Sequence, residues 1–491
     1  MIKEIQTEFY IYGTGLYAEV FYSYLKLNNL DNKILGFIVS YSAHSGKSFH
    51  GHKVYVFDEA VDFIEGMRVY VAISPDKSVG IKERLNEAGV LEVIQFDEEI
   101  YFELETEIFN YYRCSKFEIQ NDQVVFWNYW GLGYFDQCKY IAEELHNRNN
   151  KISIYWIITN AAIMDFPEWI TPVFFGSPGY YEVMNSARIL ITNVNPPDDG
   201  RYKRSGQYYI YTWHGIGPSK RLEWQSPIHN KGKEDEIRSR WNKADIMIAG
   251  SDFCHEVYRN SFLYGGVIED WGYPRNDLLF KEKDFREKIN QLYEIDESKK
   301  IVLYAPTFRN ELMAEGRQDR LQEIYNIDLE MVRKAFEKRF GGSFVILYRF
   351  HHYVYRYIDI SSYKQKAIDA TYYPDMQELL KSVDVLITDY SSSMWDFSLT
   401  RKPVFLYYHD AEEYEEKYQG FYVFPDKYPY PKGHTSEELC YAIETFDDDI
   451  YQRNLDSWFE KYGTFDDGHA SERVANRVLD VMENPSKYVK D

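Results

Sequence analysis

Short apolar runs recur along this chain, each ending in glycine or a polar cluster and each followed by a segment with helical spacing. In the first hundred residues "EFYIYGTG" leads into "LYAEVFYSYLKLNN", whose apolar positions repeat as one helix face, and "KILGFIVS" and "MRVYVAIS" read as further buried strands. After the acidic run "FDEEIYFELETE" the rhythm resumes. "QVVFWNYWG" precedes a helix over "YFDQCKYIAEELHNRN", then come "KISIYWIITN", "ARILITNV", "QYYIYTWHG" and the strand, turn and helix of "KADIMIAGSDFCHEVYRNSF". A third set opens with "IVLYAPTFRN" and continues with "SFVILYRFHH", "VDVLITDYSSS" and "KPVFLYYHD", separated by helices such as "LEMVRKAFEKRF" and "MQELLKSV". Strands alternating with helices predict an α/β protein with parallel sheets and right-handed crossovers, and ligands at the carboxyl ends of the strands. The expected units are residues 1–104, 105–295 and 296–491, with no internal repeat and no low-complexity linker.

Composition narrows the partners. A length of 491 residues exceeds one core, and 45% hydrophobic residues can fill several. The formal net charge of −22 opposes general binding to nucleic acid or anionic lipid, so an anionic ligand needs a local basic pocket. Cys114, Cys138, Cys254 and Cys440 are scattered, which argues against a zinc site or a disulfide scaffold and suits a reducing cytosol. The start "MIKEIQTEFYIYGTG" lacks the layout of a signal peptide, and no run of about 18 apolar residues predicts a membrane span. The expected location is the cytoplasm, with peripheral contact with a membrane left open. No cofactor or metal is called for, and "FDDD" at 446–449 reads as a solvated acidic turn.

Gly13, Gly15 and Ala18 approach a dinucleotide fingerprint, but Phe37-Ile38-Val39-Ser40 stands where the ribose-binding acid belongs. A tight turn that packs or recognises another ligand competes with NAD binding there. The other strand ends carry more chemistry. His214 with Gly215 and Gly217 follows one, Pro306, Thr307 and Arg309 another, Arg349 with His351 and His352 a third, and Asp389 with Ser391, Ser392 and Ser393 a fourth. Arginine matches phosphate oxygens with paired hydrogen bonds, and hydroxyls and backbone N–H groups at a helix start add donors. Histidine takes or supplies a proton near neutral pH. A phosphorylated ligand fits this set, and the absence of a Walker loop argues against a P-loop NTPase. Asp389 is expected to order its turn, and Tyr390 and Trp395 to be core.

Seven motifs in order carry a family resemblance: "TWHG" at 212–215, "GYPRND" at 272–277, "LYAPTFR" at 303–309, "RFH" at 349–351, "LITDYSSSMWDF" at 386–397, "GFY" at 420–422 and "DDGHASERV" at 466–474. The chain resembles, over roughly residues 120–480, the CDP-glycerol glycerophosphotransferases, which include wall teichoic acid polymerases and primases. The resemblance implies a GT-B architecture, two Rossmann-like domains facing each other across a cleft, here preceded by a small Rossmann-like domain. It implies essential roles for His214 and His351, and donor contacts from Gly215, Ile216, Gly217, Pro218, Arg275, Pro306, Thr307, Arg349, Phe350, Ser391, Ser392 and Asp396. Two departures stand out: the loop from Ile216 to Lys220 is one residue longer than the family's, and Gln419 replaces an arginine before "GFY". The first hundred residues lie outside the match and look instead like the nucleotide-sugar-binding domain that precedes some acetyltransferases.

The reaction the resemblance implies is attack of an acceptor hydroxyl, deprotonated by His214, on the β-phosphorus of CDP-glycerol with expulsion of CMP. Ser391 and Ser392 would hold the diphosphate, and Asp396 would reach a hydroxyl of the alditol or ribose. The acceptor implied is lipid-linked or saccharide-linked, in teichoic-acid-like or capsular polymer synthesis. The alternatives are a CDP-ribitol donor, a GT-B sugar transferase, or an inert binding protein. The basic-aromatic segments "RYKRSGQYY" and "KRLEWQ" could meet acceptor or lipid headgroups, or be solvated loops.

Overall fold

The structure, a computed structural model, describes residues 5–41, 47–114, 117–159, 166–195, 203–215, 217, 219–227, 232–307, 309, 319–350, 363 and 366–489. Three sheets follow one another along the chain. The first has six strands, parallel except for Ser48–Phe49, which pairs antiparallel with His52–Val56 at one edge. The second has seven parallel strands, with Tyr208–Tyr211, Ala187–Thr192 and Gln120–Trp127 adjacent at its centre. The third has six parallel strands centred on Phe344–Tyr348, Lys300–Tyr304 and Val385–Thr388. Runs such as "FVILY" are apolar throughout because helices cover both faces of a parallel sheet.

Register decides what emerges where. Thr192 lies opposite both Tyr211 and Trp127, so Thr212, Asn193 and Asn128 leave the second sheet side by side. Tyr304 lies opposite Tyr348 and Ile387, so Ala305, Arg349 and Thr388 do the same on the third. Helix starts are set by short polar side chains. Asp328 accepts from the N–H groups of Glu330 and Met331, and Ser251 from that of Cys254. Asp447 of "FDDD" caps Asp448–Tyr462 in the same way.

The first sheet is not a pendant unit. The helix Glu98–Cys114 runs across the 104/105 position, and Phe21, Leu25, Leu104 and Ile108 share one core with Trp127, Tyr180, Tyr181 and Leu190 of the second unit. Ser23 Oγ donates to Gly176 O at 2.7 Å, and a Cβ at Gly176 would sit 2.9 Å from Val20. The late helix Ala470–Glu483 leaves the third unit and packs on the second. Its Val474, Ala475, Val478 and Val481 join the core of Val124, Ile141 and Ile189, and Arg477 pairs with Glu269 at 2.7 Å. The second and third sheets thus present their carboxyl edges to one cleft, the GT-B arrangement.

Candidate active site

His214 comes from the centre of the second sheet. Trp213 before it adopts φ 56°, turning the chain so that the imidazole enters the cleft while the indole packs against Trp241 and Phe262. The ring's Nδ1 lies 2.8 Å from Asn193 O. A carbonyl can only accept, so Nδ1 carries the proton and the Nε2 lone pair is left as the basic site. Loss of solvent lowers the His214 pKa to about 4, against the pull of Asn193 O and Asp136, so the ring is neutral at pH 7. Asn193 anchors the neighbourhood: its Nδ2 donates to Asn128 Oδ1 at 2.7 Å and Asp136 Oδ1 at 2.9 Å, and its Oδ1 accepts from the Tyr129 N–H at 3.0 Å.

Arg275 ties this edge to the third sheet. Its guanidinium meets Asp136 at 2.8 Å and Asp396 at 2.9 Å and also donates to His214 O. Burial opposes its charge, but Asp396 and Asp136 outweigh that and keep it ionised. Asp396 is further held by Asn276 and by Gln377, each at 3.3 Å. Asp396, expected from sequence at a substrate hydroxyl, turns its oxygens to Arg275 and two amides. Asp466 of "DDGHASERV" accepts from the Tyr273 N–H at 2.7 Å, and burial raises its pKa to about 7.

On the third sheet Ser392 precedes the short helix Ser393–Ser398 without capping it, and its hydroxyl faces the cleft beside Gly215. Ser391 Oγ accepts from Ser393 Oγ at 2.9 Å. Thr307 donates its N–H to Asp389 at 2.8 Å, while its Oγ1 is buried without a partner among the described residues. Pro306 is half-buried beside it. Arg349 donates to Tyr373 O and has no carboxylate within ion-pair distance among the described residues, so burial lowers its pKa without relief from a tight ion pair. Such a cation suits an anionic ligand. Phe350 packs against Tyr304, Tyr325 and Tyr363 as core.

The two edges touch at glycines. A Cβ at Gly215 (φ 132°) would lie 2.7 Å from Arg275 Nη2 and 2.9 Å from Ser392 Oγ, and one at Gly217 would fall 1.8 Å from the Trp395 ring. Trp395 itself stacks on Trp458 at 5.1 Å. Next, Lys220 pairs antiparallel with Phe421 across the cleft, Arg221 N–H donates to Gly420 O at 3.0 Å, and Arg221 meets Glu415 at 3.1 Å. "KRLEWQ" therefore closes the domains, and in "RYKRSGQYY" Lys203 is paired with Asp245 at 2.7 Å. A cavity of about 690 Å³ opens here, lined by Trp130, His214, Gly215, Ser392, Lys220 and Gln419 among others.

Of the residues singled out from sequence, His214, Gly215, Gly217, Arg275, Ser392 and Asp396 converge on this cleft. Ile216, Pro218 and His351 lie outside the described residues. Asp136 and Asn193, which no sequence motif marks, belong to the site as well. Asp136 reads as a helix-start acid in "YFDQCKY", and its φ of 59° aims it at Arg275 instead. Among the described residues no group of three or more His, Cys, Asp or Glu could hold a metal ion, and no helix is long and apolar enough to cross a membrane.

Residues 108–480 match the model of the family described as CDP-Glycerol:Poly(glycerophosphate) glycerophosphotransferase. A teichoic acid poly(glycerol phosphate) polymerase of Staphylococcus epidermidis is 29% identical over 381 residues, 73% of this chain and 51% of that protein, so the chain spans about half of that relative's length. A teichoic acid glycerol-phosphate transferase of Staphylococcus aureus is 27% identical over 371 residues, 72% of this chain and 92% of that protein. In three dimensions the chain is similar to a histidine-to-asparagine variant of the wall teichoic acid polymerase TagF soaked with CDPG, with a TM-score of 0.66, 25% identity and coverage of 79% of this chain and 96% of that one. The family model spans the central and C-terminal sheets and every one of the seven motifs, and the chain belongs to the CDP-glycerol:poly(glycerophosphate) glycerophosphotransferase family.

Proposed function

We propose that this chain transfers glycerol phosphate from CDP-glycerol to a hydroxyl of a teichoic-acid-like or capsular acceptor, releasing CMP. The observation that carries this reading is the neutral His214 ring, locked through Nδ1 to Asn193 O with no hydrogen-bond partner on Nε2 among the described residues, beside the Arg275 bridge at the cleft. Nε2 takes the proton of the acceptor hydroxyl. The acceptor oxygen bonds to the β-phosphorus as the P–O bond to CMP breaks, and the electron pair leaves with CMP. Arg349, Thr307, Ser391 and Ser392 hold the diphosphate and His351 helps neutralise it, in a reaction that depends on positioning and charge. A base with a pKa of about 4 is weak, but a diphosphate next to the ring favours the imidazolium and lifts it toward the working pH. The family membership and the CDPG-soaked TagF variant support the choice of donor.

The test incubates the purified chain with CDP-glycerol, CDP-ribitol and nucleotide sugars and identifies the nucleotide released. CMP from CDP-glycerol is expected, falling about 10²- to 10⁴-fold in turnover in His214→Ala with donor affinity kept. CMP from CDP-ribitol alone would change the donor. UDP or GDP from a sugar nucleotide would sink the phosphotransfer reading.

A further inference from the structure

The edge of the second sheet carries an aromatic group that proton transfer does not need. Tyr129 and Trp130 follow the strand Gln120–Trp127 with φ of 41° and 54°, and Trp213 has φ 56°. Left-handed backbone is uncommon for bulky residues, and here three of them surround one histidine. Packing accounts for two. Tyr129 lies against Phe135 and His214, and Trp213 is buried against Trp241. Trp130 is different: 48% of it is exposed, it lines the cavity, and its ring stands edge-on to His214 at 6.1 Å. Its backbone is pinned in that pose, since Trp130 O accepts from Thr159 Oγ1 at 3.0 Å and the Tyr129 N–H is bound by Asn193. A large ring held open to water at a cavity mouth forgoes burial that a ligand can supply.

We infer that Trp130 is a stacking platform for a sugar ring at the acceptor end, and that this chain adds its phosphoalditol to a saccharide in preference to a glycerol phosphate chain. The inference rests on the proposed transfer reaction. The platform is on the same sheet as His214, whereas Ser392, Thr307 and Arg349 belong to the opposite sheet, so the ring serves the acceptor and not the diphosphate. A pyranose offers a flat C–H face, whose weakly positive hydrogens suit the negative face of indole, and hydroxyls around its rim. A glycerol phosphate chain has no such face, and its phosphodiesters would lose hydration against the ring. The cavity wall carries both signs of charge, Lys220, Lys233 and Arg240 with Glu223 and Glu236, and Arg240 is paired with Glu236 at 2.8 Å and Glu223 at 3.8 Å. Such a wall offers both acceptors and donors to the hydroxyl rim of a sugar.

The experiment compares an octyl-linked N-acetylglucosamine disaccharide with an octyl-linked glycerol phosphate trimer as acceptors, following CMP release from CDP-glycerol by the full chain. The expected result is a KM for the disaccharide at least tenfold below that for the trimer. Trp130→Ala should erase that ratio and Trp130→Phe restore most of it. The same ratio in Trp130→Ala as in the unaltered chain, or a trimer preferred from the start, overturns the inference. The disaccharide is also bound without donor and observed by saturation-transfer NMR. Binding that vanishes in Trp130→Ala upholds the platform even if no CMP is ever released, which would sink the transfer reading alone. Absence of disaccharide binding overturns the platform while leaving CMP release intact.

Discussion

Two buried arginines use the same chemistry to opposite ends. Arg309 meets Asp389 at 2.8 Å and Asp410 at 2.8 Å, sits over the faces of Tyr390 and Tyr414, and lies wholly within the third unit. Arg275 also meets two aspartates, but Asp136 belongs to the second unit and Asp396 to the third. In both, burial opposes the charge and the paired carboxylates outweigh it. The first knot ties one strand end to the next, Asp389 also accepting the N–H groups of Thr307 and Tyr390. The second ties one domain to the other beside His214. A strand-end arginine beside polar residues is therefore not by itself a ligand group; what separates the two is whose carboxylates they share.

Substitution should pull the two apart. Arg309→Leu leaves Asp389 and Asp410 buried with no cation inside one core, and about 3–5 kcal/mol of stability should be lost in urea unfolding. Arg275→Leu should lose less stability, about 2 kcal/mol, because opening the cleft lets water reach Asp136 and Asp396. Its turnover should fall at least ~10²-fold, as when a positioned donor is removed. Equal stability losses would erase the distinction drawn between knot and bridge. Gly217→Ala probes closure without touching charge: the added methyl meets the Trp395 ring, and a loss of about 1–3 kcal/mol with reduced activity is expected, part of it recovered by adding Trp395→Leu. The smallest effect concerns pH. Burial holds Asp466 near a pKa of about 7, above its unfolded value, so its contribution to stability is present at low pH and lost as pH rises through 7. Asp466→Asn should therefore gain on the unaltered chain between pH 5 and pH 8, a rise of about 2 °C in Tm at the upper end. A Tm difference independent of pH would show that the carboxyl does not titrate there.

The strands were legible because parallel strands buried on both faces are unbroken apolar runs, and the strand-end polar clusters announced which edges face the cleft. Register was not legible. Nothing local says that Asn193 and Asn128 emerge beside Thr212, since Thr192 pairs with Tyr211 and Trp127 across sequence gaps that motif spacing cannot see. Asp136 and Trp130 escaped for a related reason: an acid before a helix reads as a cap and a tryptophan beside glycine as core, until backbone at positive φ redirects both. Gly215 and Gly217 were visible as freedom for the chain, and the structure adds that the room they leave is occupied by Ser392, Arg275 and Trp395.

The helix Ala470–Glu483 has a consequence for how the protein is made. The core of the second sheet takes Val474, Ala475, Val478 and Val481 from it, more than two hundred residues after that sheet's final strand, Val267–Glu269. On the ribosome, where folding proceeds in the order of synthesis, the third unit can close around its own strands as soon as they emerge. The second must keep one apolar face uncovered until Val474 to Val481 have been synthesised, after all the strands of the third. The sheet that holds His214 is thus synthesised before the third unit and completed after it.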